Sequence, residues 1–241
     1  MRIDQVSDSV YAVAGTNVNW ALISDGSGVT LIDAGYPSDT DDVLASVTRI
    51  GHQLTDIAAV LITHAHLDHI GAIPTLVERV GMPVYTGREE VRHAKREYLQ
   101  QIGAAGMLRQ LATGRGRRWV AHTLRAINGH LGMKIPTATT ADAATLAALP
   151  GGIVEVPTPG HTSGHTAYLL PSEGVLFSGD ALVTGHPLLA GTGPQLLPSV
   201  FHHDEAGARE SARQLAAQPA RILVPGHGEP MALNGIHDHE R

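Results

Sequence analysis

Apolar and polar positions along the first third of the chain alternate at the short period of strands. Ser9 to Ala14 (SVYAVA) and Trp20 to Ser24 (WALIS) are brief β-prone runs. Asp25-Gly26-Ser27-Gly28 is a turn signal, and Val29 to Asp33 reads as the next strand. The period then lengthens. Thr40 to Ile50 sets Val43, Leu44 and Val47 on one helical face, with the acidic residues near 39–42 favouring its start. Ile57 to Ile62 (IAAVLI) is a continuous apolar run, as expected of a strand buried on both faces. A helix is predicted from about Ile70 to Val80, with Pro74 early enough to be tolerated, and a short strand from Pro83 to Tyr85.

From Arg88 to Leu149 the alternation stops. Helix is predicted over Glu89–Leu99, Met107–Ala112 and Asp142–Leu149, and Thr113 to Arg118 (TGRGRR) reads as a mobile connection. Strands resume at Ile153–Val156, Ala167–Leu170 and Val175–Ser178. A helix over Glu205–Ala217 and a strand over Arg221–Val224 follow. Strand–helix alternation on both sides of a helical stretch predicts an α/β fold whose helices cover its sheets. The expected organisation is one domain over 1–241, with 88–149 as a helical insertion or cap within it.

Composition adds three points. At 241 residues, 43% hydrophobic and 17% charged, the chain can build a substantial core, though aromatics are only 4%, so Ala, Val, Leu and Ile must carry it. No cysteine is present, which excludes disulfides, thiolate metal sites and cysteine nucleophiles. The start of the chain lacks the basic and apolar pattern of a signal peptide, and no run approaches the roughly 18 apolar residues of a bilayer span. A cytoplasmic protein without membrane partners is therefore expected. The net charge of −6 is uneven: residues 88–134 hold ten Arg or Lys against three Glu, while the rest holds seven basic and twenty acidic residues. The basic stretch is either a solvated helical face or a surface for anionic substrates.

Histidine is the outlier, at fifteen residues. His64-x-His66-x-Asp68-His69 follows the buried Ile57–Ile62 run directly. Residues 64 and 66 share a side in extended backbone and can chelate one ion. Asp68 and His69, at the turn into the next helix, can reach a second. Four potential ligands in six residues point to metal rather than to core histidines. Further candidates follow three later strands: His161 in Pro157-Thr158-Pro159-Gly160-His161, Asp180 in Ser178-Gly179-Asp180, and His227 in Pro225-Gly226-His227-Gly228. Strand ends on one sheet edge converge, which is where α/β proteins build sites.

The motifs THAHLDH, PTPGHTSGHT, SGDAL and VPGHGEP, in this order, resemble the metallo-β-lactamase superfamily, as does Leu31-Ile32-Asp33-Ala34-Gly35. The resemblance spans nearly the whole chain outside 88–149. It implies a four-layer αβ/βα sandwich with the metals at one edge. It implies further that His64, His66 and His161 hold a first metal, that Asp68, His69 and His227 hold a second, and that Asp180 bridges them. Zn is the expected ion, with Fe or Mn as alternatives. Asp33 and His165 are expected to hydrogen-bond beside the site rather than ligate. His202-His203 and His237-Asp238-His239 are expected at the surface.

The implied chemistry is hydrolysis, in which a metal-held hydroxide attacks a carbonyl centre while Asp68 relays a proton. Dedicated β-lactamases lack an acid at the position of Asp180. Glyoxalase II-type thioesterases add a helical domain after the last metal histidine, where fourteen residues follow His227 here. The diiron branch carries an acid in place of His66. A lactonase-like or esterase-like hydrolase of a small molecule remains, covering lactones, esters and thioesters, with 88–149 shaping its pocket. Leu188, Leu189, Leu196 and Leu197 either form a mobile apolar wall or pack beneath a loop. The alternatives are a phosphodiesterase or nuclease using the basic stretch to grip phosphate, and, from another class, a metal-binding module without turnover. Nucleic acid is not the expected partner.

Overall fold

In the computed structural model, residues 1–233 are described. Strands β1 (Arg2–Gln5), β2 (Val10–Ala14), β3 (Asn19–Ser24) and β4 (Val29–Ile32) lead to helix α1 (Thr40–Arg49) and strand β5 (Ile57–Leu61). Helix α2 (Ile73–Val80) and β6 (Val84–Tyr85) follow, then α3 (Arg88–Ala94), α4 (Ala104–Gln110), α5 (Gly114–Ile127), β7 (Ala138–Thr139) and α6 (Ala143–Ala148). The remaining elements are β8 (Val154–Pro157), β9 (Thr166–Leu170), β10 (Val175–Gly179), α7 (Glu205–Ala216), β11 (Ile222–Pro225) and β12 (Met231–Ala232).

Strands β1 to β7 form one sheet in sequence order, antiparallel through β4 and parallel from β4 to β7. The second sheet runs β12-β11-β10-β9-β8, with β10 and β11 as its parallel pair. The two-residue period of the strands decides the layering. On β3, Ala21 and Ile23 join Tyr168, Leu170 and Phe177 of the second sheet in the core between the sheets. Their neighbours Trp20 and Leu22 point the other way, onto Val43 and Val47 of α1 and Ile73 and Leu76 of α2. On β9 and β10, Leu169 and Leu176 turn outward to Leu215 of α7. The result is four layers, helix–sheet–sheet–helix.

The 88–149 stretch departs from its predicted elements. The helix predicted to Leu99 stops at Ala94, because Arg96 takes a left-handed backbone (φ 62°) and its guanidinium donates to the Met133, Ala65 and His93 carbonyls. The Gly-Arg segment predicted as a mobile connection is the first turn of α5, the longest helix among the described residues. Strand β7, unforeseen, pairs with β6, and Ala126, Ile127, Ile135 and Ala138 join the core beneath the first sheet. His237, Asp238 and His239 lie outside the described residues.

Candidate metal centre

Five strands end at one edge of the sandwich. Strand β4 delivers Asp33, β5 the 64–69 loop, β8 the loop with His161, β10 Asp180, and β11 His227. The predicted candidates meet there in three overlapping groups whose ligand-capable atoms lie within 4.8 Å of one another: His64, His66 and His161; His64, His69 and Asp180; and Asp68, His69 and His227. Asp180 stands between the halves. Its Oδ2 lies 3.5 Å from His161 Nε2 and 3.2 Å from His227 Nε2, and its Oδ1 lies 3.4 Å from His69 Nε2. His227 Nε2 is 3.6 Å from Asp68 Oδ2. His66 Nδ1 sits 3.1 Å from His161 Nε2.

The neighbours of the cluster decide which nitrogen each ring presents. His69 Nδ1 pairs with Asp33 Oδ2 at 2.8 Å, and Asp33 also accepts from the Thr63 amide and hydroxyl at 2.8 and 2.7 Å. The Thr63 hydroxyl is in turn within 3.1 Å of His64 Nδ1. His227 Nδ1 donates to the Asn17 carbonyl at 2.6 Å, and His66 Nε2 to the Gln100 carbonyl at 2.5 Å. A donated N–H fixes the tautomer and leaves the other nitrogen's lone pair facing inward. His165 does not face the cluster as a ligand would: its Nδ1 bonds Thr158 Oγ1, and its Nε2 accepts from the Asp180 amide at 3.1 Å.

Charge follows from burial. Desolvation, together with His69, His66 and His161, drives His64 well below the usual imidazole range; burial also takes His66 down to about 4. Burial likewise lowers His161 strongly. Burial opposes the charged forms of His69 and His227 too, but Asp180 and Asp68, with Asp33 beside His69, lift both above the usual value. The same pair, against the desolvation cost, holds the Asp180 carboxyl well below its ordinary range. His64 Nε2, His69 Nε2 and Asp180 Oδ1 are buried without a hydrogen-bond partner. Native structures rarely leave such atoms orphaned. Imidazole nitrogens and carboxylate oxygens at this spacing suit divalent ions of borderline hardness, so the residues present fit a metal centre.

Sequence reasoning missed the groups that brace this centre. Glu90 of α3 is fully buried. Its Oε1 accepts from the Ala65 amide at 2.7 Å and from His93 Nδ1 at 2.6 Å, and its Oε2 from the Thr162 hydroxyl at 2.7 Å. His93 Nε2 accepts from the Gln100 amide, whose carbonyl meets His66. A continuous chain of hydrogen bonds thus runs from Glu90 to the His66 ring and ties together the loops carrying His66 and His161. Only the Glu90–His93 spacing on one helix face hinted at it. Asn19 was missed as well: its amide group donates to the Pro225 and Gly228 carbonyls and holds the His227 loop on the first sheet. Gly226 is required by proximity, since a Cβ there would lie 2.3 Å from Asp180 Oδ1.

A cavity of about 810 Å³ opens over the cluster. His66, Asp68, His161, Asp180 and His227 lie at its floor, and α4 and α5 supply much of its wall. Of the four leucines after Asp180, Leu197 lines it and the others do not. His203 is exposed, as expected, but His202 is half-buried with its ring 5.5 Å from that of His161.

Two mixed sheets between helix layers, with a His/Asp cluster at one edge, define a class of metal-dependent hydrolases. The chain belongs to the metallo-β-lactamase superfamily: the family model for "Metallo-beta-lactamase superfamily" matches residues 13–227. It is 27% identical over 228 residues to the probable metallo-hydrolase YflN of Bacillus subtilis, covering 87% of this chain and 79% of that protein. It is 30% identical over 188 residues to a hydroxyacylglutathione hydrolase of Rhodospirillum rubrum, covering 78% of this chain but 53% of that one. Among solved structures, a metallo-beta-lactamase family protein of Thermus thermophilus superposes with a TM-score of 0.65 at 23% identity, over 95% of this chain and 76% of that one. The protein is thus a metal-dependent hydrolase. Among the described residues, no helix is long and apolar enough to cross a membrane.

Proposed function

We propose that this chain hydrolyses a small carbonyl ester, whether lactone, ester or thioester, with two divalent ions. His64, His66 and His161 would hold one ion, Asp68, His69 and His227 the other, with Asp180 between them. Zn is the proposed metal, because five imidazoles and two carboxylates suit it well. The reading rests on one observation above all: His64 Nε2, His69 Nε2 and Asp180 Oδ1 are buried and unpartnered in one cluster, whose members His66, Asp68, His161, Asp180 and His227 line a cavity. When bound, such ions supply an activated water and Lewis acidity toward the carbonyl oxygen.

The protein's own part is orientation and proton handling. Asp33, Thr63, Asn17 and Gln100 fix the imidazole tautomers. Asp68 borders the cavity, where a carboxylate can hold the proton taken from water and pass it to the leaving oxygen or sulfur. The similarity to a hydroxyacylglutathione hydrolase supports a thioester as one candidate. Phosphodiester cleavage is less well supported, since no Lys or Arg lines the cavity among the described residues. The test is metal analysis and hydrolysis of lactones, thioesters and aryl esters by the wild type and by His66→Ala and Asp180→Ala. Both variants should lose bound metal and turnover together. Full turnover by the metal-free protein would overturn the proposal.

A further inference from the structure

The apolar surface of this molecule is concentrated in one place. Among the described residues, the large hydrophobic side chains left exposed are Leu99, Leu108, Leu111, Leu124, Leu131 and Val154. All five leucines, 39% to 65% exposed, line the cavity above the His/Asp cluster; only Val154 does not. The leucines are not scattered. On α4 and at its C-cap, Ala104, Met107, Leu108 and Leu111 recur at helical spacing, and on α5 and just beyond it so do Val120, Leu124, Ile127 and Leu131. An amphipathic helix ordinarily buries such a stripe against its own core. Here both stripes border the same cavity, and their outer parts stay open.

The charges of the same helices lie elsewhere. Arg109, Arg115, Arg117, Arg118 and Arg125 are exposed and absent from the cavity wall, and Arg115 and Arg118 border a separate groove. The basic stretch of the sequence therefore does not face the reaction centre. A wall that is mostly apolar, with Gln101 and Thr123 among its leucines, and that ends on a polar floor matches a ligand with the same division: a hydrocarbon body and one reactive polar end.

We infer that the substrate carries an extended apolar acyl group, seated between α4 and α5 with its carbonyl carbon at the His/Asp cluster. This rests on the hydrolase reading above and names the substrate class for that site. The occupant is a substrate and not a membrane or a protein, because the cavity that the leucines line also takes in His66, Asp68, His161, Asp180 and His227. A docking face would have no reason to end on buried imidazoles. Each methylene moved from water into such a wall strengthens binding by up to about fourfold.

The experiment follows a series of p-nitrophenyl esters from acetyl to dodecanoyl with the zinc-loaded protein, alongside calorimetric titration of the metal-free protein with dodecanoate. The specificity constant kcat/KM should climb by about two- to fourfold per methylene until the cavity fills, and dodecanoate should bind. In Leu108→Asn and Leu124→Asn, the dodecanoyl-to-acetyl ratio of kcat/KM should fall at least about tenfold, with dodecanoate binding weakened in parallel. Val154→Asn, an exposed apolar position away from the cavity, should leave that ratio where it is. A flat chain-length profile with ready turnover of the acetyl ester would leave the hydrolase reading standing and overturn this one. Sedimentation of the protein with phosphatidylcholine vesicles, abolished by the leucine variants while the profile stays flat, would overturn it in favour of a lipid surface. If no ester is turned over, the calorimetry decides: dodecanoate binding that the leucine variants lose supports the apolar site, and no binding overturns it.

Discussion

Glu90 shows what a single side chain can do at a distance from the chemistry. Its carboxylate is fully buried, and burial alone would favour the neutral acid. The His93, Thr162 and Ala65 donors outweigh that cost and hold it below its ordinary value of 4.5. A group with a depressed native pKa contributes stability that is present above its unfolded value and fades as pH falls through the native one. Glu90→Gln removes the charge and leaves three donors competing for a poorer acceptor. It should cost about 1.5–3 kcal/mol at neutral pH, and the gap to wild type should narrow at about pH 3. Urea unfolding at both pH values checks this; an equal gap in acid would mean that the carboxylate charge is not the source. In the sequence, Glu90 sits in Arg88-Glu89-Glu90-Val91-Arg92 and looks like one more solvated charge. The histidines and aspartates at 64–69 are legible for the opposite reason: their spacing has few structural explanations.

At the scale of elements, α5 carries the lesson. Gly114-Arg115-Gly116 has poor helix propensity, which is why the segment reads as a connection. Two tertiary features reverse that reading. Thr113 caps the helix through its side chain, accepting from the Gly116 amide at 2.9 Å. Gly116 itself is required where α4 ends, because a Cβ there would lie 1.9 Å from the Gln110 carbonyl oxygen. Burial of Trp119, Val120, Thr123, Ala126 and Ile127 along one face then outweighs the local preference. Thr113→Ala should destabilise the protein by about 1 kcal/mol. Hydrogen exchange should quicken first at the amides of residues 114–118; faster exchange spread evenly over the chain would count against a local cap.

Over the whole molecule, the candidate ligands divide between the sheets. The 64–69 loop leaves the first sheet, whereas His161, Asp180 and His227 follow strands of the second. Metal held between them would staple the sandwich, and a ligand that binds only the native state stabilises it by mass action. Adding metal to a thousandfold excess over its Kd should therefore raise stability by about 4 kcal/mol. The gain should shrink in acid, because imidazoles and carboxylates must lose their protons to bind. Calorimetric melting with and without chelator measures it; an unchanged melting temperature would mean that metal is not part of the native fold.

The sequence by itself determined the family and the side chains that meet at the candidate site, because ligand chemistry demands particular residues at short spacings next to strand ends. The two-residue and helical periods announced strands and helices on both sides of 88–149, and the family resemblance implied the four layers. Only the tertiary structure decided which ring nitrogen faces inward, since that depends on Asp33, Asn17, Thr63 and Gln100 arriving from elsewhere in the chain. It decided as well where the basic stretch points. A run of arginines has the same composition whichever side of a helix faces the cavity, and packing set leucines along the cavity and left Arg109, Arg115, Arg117, Arg118 and Arg125 exposed outside it.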